Sequence, residues 1–253
     1  MDFRREAQED LTTSKLKRED IFVTTRWTMV LNARRSSSTS RKALEEICET
    51  YWFPLYAYVR RRGHSAEDAE DLTQEFFRQL LEHRWLESAA REKGRLRAFL
   101  ITALKRFMAK EWRKASARKR GGGARPLSLE AGCAEGRYAD TATPSLNAEA
   151  LFDRQWALAV LAATIDRLEA DFSQQGKAAE FAVLKETLSL TRDTINYAEL
   201  AAKLQLSEGA ARVATHRLRK RFREVYRNEV AGTLPEGTDL SEESRYLAES
   251  LMK

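Results

Sequence analysis

Asp68, Asp71, Gln74 and Glu75 recur at intervals of one to four residues within a short polar stretch. On a helix that spacing gathers them on one side. Paired carboxylates of this kind can run acid–base chemistry or begin a metal centre. Either use needs convergent partners, and the three histidines, His64, His83 and His216, are scattered along the chain. No catalytic residue, metal ligand or cofactor is therefore assigned. A docking face for a basic protein suits the four side chains better. A merely solvated helix face is the plainer alternative.

The opposite charge is concentrated elsewhere. Residues 91–125 hold 13 Lys and Arg against 2 Asp and Glu, and residues 203–227 hold 8 against 2. Residues 43–87, around the carboxylates, hold 5 against 10. Two basic blocks on a chain of net charge +6 point to two contacts with a polyanion. In the first block Arg95, Arg97, Lys105, Arg106, Lys110, Arg113 and Lys114 share a segment with Phe99, Phe107 and Trp112. Cations can hold phosphates while rings stack on unpaired bases. The spacing of Phe99 and Phe107 also fits a core stripe, which leaves Trp112 as the ring to watch. In the second block Ser207, Glu208 and Gly209 open a segment that carries Arg212, His216, Arg217, Arg219 and Lys220.

The elements that position these groups read as helices. Gly (11) and Pro (4) are scarce among 253 residues, and helix formers dominate. The expected fold is all-α: a helical bundle, a flexible linker, then a helix-turn-helix domain. Leu44, Ile47, Cys48, Tyr51, Trp52, Leu55 and Val59 mark a first helix, after a polar connector at 34–41. Ser65 caps a second, with Ala69, Leu72, Thr73, Phe76, Leu80 and Leu81 inward. A third runs from about 95 to 117, with Leu96, Leu100, Leu104 and Phe107 on its apolar side. Gly121-Gly122-Gly123 and the small polar residues up to Thr143 read as the linker. Helices resume after Thr143-Pro144, at about 147–172, 177–189, 197–204, 208–229 and 241–251.

Tyr197 to Arg212 has the grammar of a helix-turn-helix. Leu200, Ala201 and Leu204 face inward, Leu206 is expected to plug the turn, and Ser207 caps the second helix. Cys48 reads as a core residue, and the two cysteines suggest no disulfide scaffold. The first 20 residues are charged and show no secretory signal, and no stretch reaches membrane-spanning length, so the expected location is the cytoplasm, without a membrane partner. An apolar patch from Phe22 to Leu31 suggests a further short helix. Glu242, Glu243, Tyr246, Leu247 and Leu251 near the C-terminus either fold back on the body or bind a regulator.

In this order the three constellations resemble the bacterial sigma factors of the sigma-70 family, in the extracytoplasmic-function class. Ala66-Glu-Asp-Ala-Glu-Asp-Leu-Thr-Gln-Glu-Phe-Phe looks like the family's polymerase-binding helix. By that resemblance Asp68, Asp71, Gln74 and Glu75 engage the coiled coil of the polymerase clamp. Phe99 to Lys114 is similar to the helix that reads and opens the −10 promoter element. Its DNA contacts would be Arg95, Arg97, Lys105, Arg106, Lys110, Trp112, Arg113 and Lys114. The loop from Trp85 to Arg97 would cradle a flipped-out base. Tyr197 to Glu224 resembles the −35-reading domain, with Ser207, Glu208, Gly209, Arg212, His216, Arg217 and Lys220 at the DNA.

The resemblance implies an N-terminal extension at 1–41 and a region-two-like domain at 42–120. It places the linker at 121–146, a region-four-like domain at 147–231 and a C-terminal extension at 232–253. It implies core RNA polymerase, through clamp and flap, and promoter DNA as partners, with an anti-sigma or other regulatory protein as a further one. Arg106 and Lys110 stand where the family often has Asn and Asp, Gln205 where many helix-turn-helices have Gly, and Ala211 where many have Val or Ile. Two other classes of function stay open at this point. One is a helix-turn-helix regulator acting alone; the other is an all-helical enzyme using Asp68, Asp71 and Glu75.

Overall fold

The computed structural model describes residues 38–82, 95–118, 129–141, 145–234 and 238–252. The apolar patch from Phe22 to Leu31, the loop around Trp85, the glycine triplet and the Thr143-Pro144 pair lie outside the described residues. Among the described residues the fold is all-α, with nine α-helices, two short 3₁₀ turns and no strand. The described residues form two compact units, one of those up to 159 together with those from 230 on, the other of residues 160–229.

The first unit holds α1 (Ser38–Arg61), α2 (Ala66–Glu82), α3 (Leu96–Arg118) and α4 (Leu129–Thr141). It also takes the start of α5 (Ala148–Gln174) and, beyond three intervening helices, the last one. The apolar stripes of α1, α2 and α3 close on one another, as their three- and four-residue spacing requires. Tyr51, Leu55, Phe76, Leu80, Leu96, Leu100, Leu104 and Phe107 are all buried. Phe76 of α2 meets Phe107 of α3 with ring centroids 5.8 Å apart. Cys48 is half-buried rather than a fully enclosed core residue. Ser38 to Arg41, expected in the polar connector, already belong to α1.

Two features of the structure lie at the expected boundaries. The stretch read as a linker contains α4, whose described side chains dock through polar contacts. Glu135 accepts hydrogen bonds from Arg60 Nε at 2.7 Å, Arg60 Nη2 at 2.6 Å and the Tyr56 hydroxyl at 2.8 Å. The Arg137 guanidinium lies 3.8 Å from the centroid of the Phe53 ring. Periodicity cannot find such a helix, because only Ala134 is buried among its described side chains. The second feature lies at the break expected at residue 147. The first turns of α5 belong to the first unit through Leu151, Phe152 and Trp156, with Trp156 stacked 3.9 Å from Tyr51 at an interplanar angle of 7°. The N-terminal cap of α5 is Asn147, whose side chain accepts from Ala150 N–H at 2.8 Å.

The second unit takes the rest of α5, α6 (Ala178–Leu184), α7 (Tyr197–Leu204) and α8 (Glu208–Ala231) as far as Glu229. Leu168, Phe181, Leu184, Ile195, Leu200, Ala201, Ala211, Leu218 and Val225 form its core. The expected helix at 177–189 is α6 followed by a 3₁₀ turn at Lys185–Leu188. Asn196 caps α7 by accepting from Glu199 N–H at 3.2 Å. The last helix, α9 (Leu240–Leu251), returns to the first unit.

Candidate nucleic-acid interface

In the first unit, Ser65 starts α2 as its spacing to Asp68 requires. Its hydroxyl donates to Asp68 Oδ2 at 2.8 Å and accepts from Asp68 N–H at 3.1 Å. Asp68, Asp71 and Gln74 are exposed, and Gln74 donates to Glu70 Oε1 at 2.9 Å. Glu75 is half-buried and accepts from Arg78 at 2.6 and 2.7 Å and from Gln79 at 2.7 Å. The Arg78 hydrogen bonds first, and the Gln79 bond second, hold its carboxyl down to about 2. A carboxylate this acidic is no proton shuttle near neutral pH. Among the described residues no group of three or more His, Cys, Asp or Glu is placed to hold a metal ion.

Helix α3 sorts its cations into two sets. Arg106, Lys110 and Arg113 are exposed, and no carboxylate among the described residues pairs with them. Trp112 stands beside them with 71% of its surface exposed, so it is not a core residue. Phe107 is core at 1%, and Phe99 is half-buried. The remaining cations have internal partners. Lys114 pairs with Glu111 at 2.6 Å and Lys105 with Glu149 of α5 at 2.8 Å. That bond pushes the Lys105 ammonium up and the Glu149 carboxyl down from their usual ranges.

Arg95 and Arg97 depart furthest from a DNA-contacting role. Arg95 lies 3.3 Å from Glu242 and 3.1 Å from Glu243. Arg97, only 12% exposed in its side chain, pairs with Asp153 and lies 3.4 Å from Glu243. Its guanidinium also sits 4.5 Å from the centre of the Tyr246 ring. Burial works against its charge, and the carboxylates of Asp153 and Glu243 more than offset that. Asp153 and Glu149 gave no signal in the sequence, since nothing local marks a carboxylate as the partner of a cation about fifty residues away.

The polar face of α2 and the exposed side of α3 were read as separate surfaces. They border one open groove of about 1700 Å³, to which α2 contributes Asp68, Asp71, Gln74 and Glu75. Lys105, Met108, Trp112, Arg113 and Lys114 of α3 also line it. A groove with one acidic and one basic border can take a protein and a polyanion side by side, each against its own charge.

In the second unit, Gln205 makes the turn between α7 and α8 at φ 55° and ψ 41°, a left-handed conformation. Leu206 N–H donates to Ala201 O at 2.9 Å, but its side chain is 44% exposed. It therefore does not plug the turn; Leu200, Ala201 and Ala211 fill that space instead. The Ser207 hydroxyl accepts from Ala210 N–H at 3.2 Å, which caps α8. Beyond it Glu208, Gly209, Arg212, His216, Arg217 and Lys220 are all exposed. Arg212 lies 4.1 Å from the centre of the Tyr197 ring, which holds it over the turn. Arg219 faces inward and donates to Thr187 O and Leu190 O, each at 2.6 Å. Arg221 pairs with Asp171 at 3.0 Å. The basic side of α8 thus keeps Arg212, His216, Arg217 and Lys220 outward and spends Arg219 and Arg221 on the fold.

Residues 49–118 match the family model for Sigma-70 region 2. The match runs from within α1 to the last residue of α3 and so takes in both borders of the groove. The match is a likeness of this segment, less than a third of the chain, to region 2 of the sigma-70 factors. No curated protein and no solved structure matches the chain.

Proposed function

We propose that this protein is a sigma factor of the extracytoplasmic-function class, which binds core RNA polymerase in the cytoplasm and directs it to promoters. The observation that carries the reading is the region 2 match over the three helices that hold the acidic face and the exposed tryptophan. Asp68, Asp71, Gln74 and Glu75 dock on a basic part of the polymerase clamp. Arg106, Lys110, Arg113 and Lys114 hold the backbone of the −10 strand, with Lys105 able to join by leaving Glu149. Trp112 offers a ring for an unpaired base. Arg95 and Arg97 drop out of the contact set, because carboxylates already surround them.

Opening needs no covalent step. Duplex and melted promoter interconvert, and a surface that binds only the melted strand shifts the balance toward it. In the second unit Ser207, Glu208, Gly209, Arg212, His216, Arg217 and Lys220 read the −35 element from the major groove, and the polymerase flap meets the same unit. An anti-sigma protein is a natural regulator for such a surface.

Run-off transcription with purified core polymerase on genomic promoter fragments tests the reading. Specific transcripts are expected only when the chain is present. Charge reversal of Asp71 and Glu75 to Lys should abolish core binding while the protein stays folded. Specific operator binding by the chain alone, with no effect of core enzyme, would instead mark an independent helix-turn-helix regulator.

A further inference from the structure

We propose that the C-terminal helix α9 is a positioning element for the basic helix α3, acting through Arg97 and Glu243. The inference rests on the nucleic-acid role of α3 given above. Leu96 opens α3, and its N–H donates to Thr233 O at 3.0 Å, so the chain leading into α9 satisfies an amide that the helix itself leaves unbonded. The residues on either side of Leu96 both turn onto α9. Glu243 sits between Arg95 and Arg97 with its side chain 1% exposed. Asp153 of α5 accepts from Arg97 and from the Tyr246 hydroxyl. Leu96, Leu234 and Leu247 are buried around this cluster.

Two roles fit an acidic helix laid over arginines. It could be a detachable cover that phosphate displaces, or a fixed brace. Two guanidinium groups here face three carboxylates, Asp153, Glu242 and Glu243, so the cluster repels phosphate while α9 is docked. Displacing α9 would trade existing ion pairs for new ones and gain little. The burial of Leu247 and Ser250 would be lost outright. The brace is the favoured state.

A brace at this end has leverage at the other. Trp112 lies sixteen residues beyond Leu96, about 24 Å along the helix. A tilt of about 5° at Leu96 would shift Trp112 by roughly 2 Å, enough to misplace a ring that must stack on a base. Arg97 and Glu243 would thus act on the promoter through α3, touching no DNA themselves.

The test uses the full chain with core polymerase and a −10-type duplex carrying 2-aminopurine to report opening. Salt dependence of single-strand binding and a thermal melt are measured alongside. Glu243→Gln is expected to lower opening on the order of tenfold, the worth of about one stacked base. The salt slope should stay at the wild-type value. Adding Arg97→Gln together with Asp153→Asn should cost little more, because the three act as a unit. Tyr246→Phe removes the hydroxyl that donates to Asp153 and serves if Glu243→Gln fails to melt cooperatively; it should lower opening in the same sense. A rise in affinity with a steeper salt slope on Glu243→Gln would make α9 a cover and overturn the proposal. So would unchanged opening in a folded Glu243→Gln or Tyr246→Phe chain. Lys110→Ala with Arg113→Ala is the control. If that pair leaves DNA binding and opening intact, α3 is not the nucleic-acid helix and both readings fall. If it weakens them while the α9 variants do not, the positioning role alone falls.

Discussion

The division of the α3 cations predicts which of them DNA can feel. Arg106, Lys110 and Arg113 have no carboxylate partner among the described residues, whereas Arg97 is enclosed by Asp153 and Glu243. Each cation that neutralises a phosphate on a single strand contributes about 0.7 to the slope of log affinity against log salt. Changing all three exposed cations to Ala should therefore flatten the slope by about 2. Between 50 and 200 mM salt the wild-type advantage over that variant should shrink roughly 20-fold. Arg97 should contribute nothing to the slope. Removing it alone would strand the Asp153 carboxylate, since Glu243 keeps Arg95, at a cost of about 3–5 kcal/mol, a large part of a domain's total stability. Arg97→Gln paired with Asp153→Asn avoids the stranded charge and is the variant to titrate. Fluorescence anisotropy on a labelled mixed-sequence single strand, at four or more salt concentrations, measures both slopes. If the Arg97 variant flattens the slope by about 0.7, as one lost phosphate contact would, the sorting into tied and untied cations is wrong.

Three further outcomes follow from other parts of the fold. Gln205→Gly should relieve a left-handed residue that costs roughly 1–2 kcal/mol. Part of that gain is cancelled by the freer unfolded chain, so the urea midpoint of unfolding should rise by the equivalent of roughly 0.5 kcal/mol. Arg78→Ala tests the Glu75 pair by pH. A carboxyl lowered from 4.5 to about 2 stabilises the fold above pH 4.5 and loses that contribution as pH falls toward 2. Arg78 is 55% and Glu75 36% exposed in their side chains, so solvent screening keeps the contribution below about 1 kcal/mol. Thermal melts of wild type and variant should differ slightly at pH 7 and converge as pH falls to about 2. Glu135→Gln should weaken the two-pronged bond to Arg60 by about 1–3 kcal/mol. Amide exchange in α4 should then speed up on the order of tenfold, while α2 keeps its protection.

The helices that bury an apolar stripe were legible, because a stripe is a local property. Leu96, Leu100, Leu104 and Phe107 repeat at the helical period whatever they meet. Ser65, Asn196 and Ser207 act as caps over three residues of sequence, and of these Ser65 and Ser207 were read in advance. Gln205 was recognisable as standing at a glycine position, and its positive φ gives the reason. Helix α4 was not legible. Its anchor is Glu135 against Arg60, 75 residues earlier, and no periodic pattern records a pair at that separation. Leu206 misled for a related reason. An apolar residue in a turn suggests a plug, yet small Ala201 and Ala211 let the helices close without it.

Charge was the least legible property, and the α3 cluster shows why. A count over residues 91–125 treats every Lys and Arg as available to a polyanion. Folding brings Glu149 and Asp153 from α5 and Glu242 and Glu243 from α9 against Lys105, Arg95 and Arg97. None of these carboxylates lies in the counted window. A phosphate gains most from a cation that still lacks a partner, since displacing a carboxylate returns little net free energy. The surface that can hold nucleic acid is thus smaller than the basic segment and lies toward its far end, around Lys110, Trp112 and Arg113. The near end of the same helix spends its arginines on fixing where that far end points.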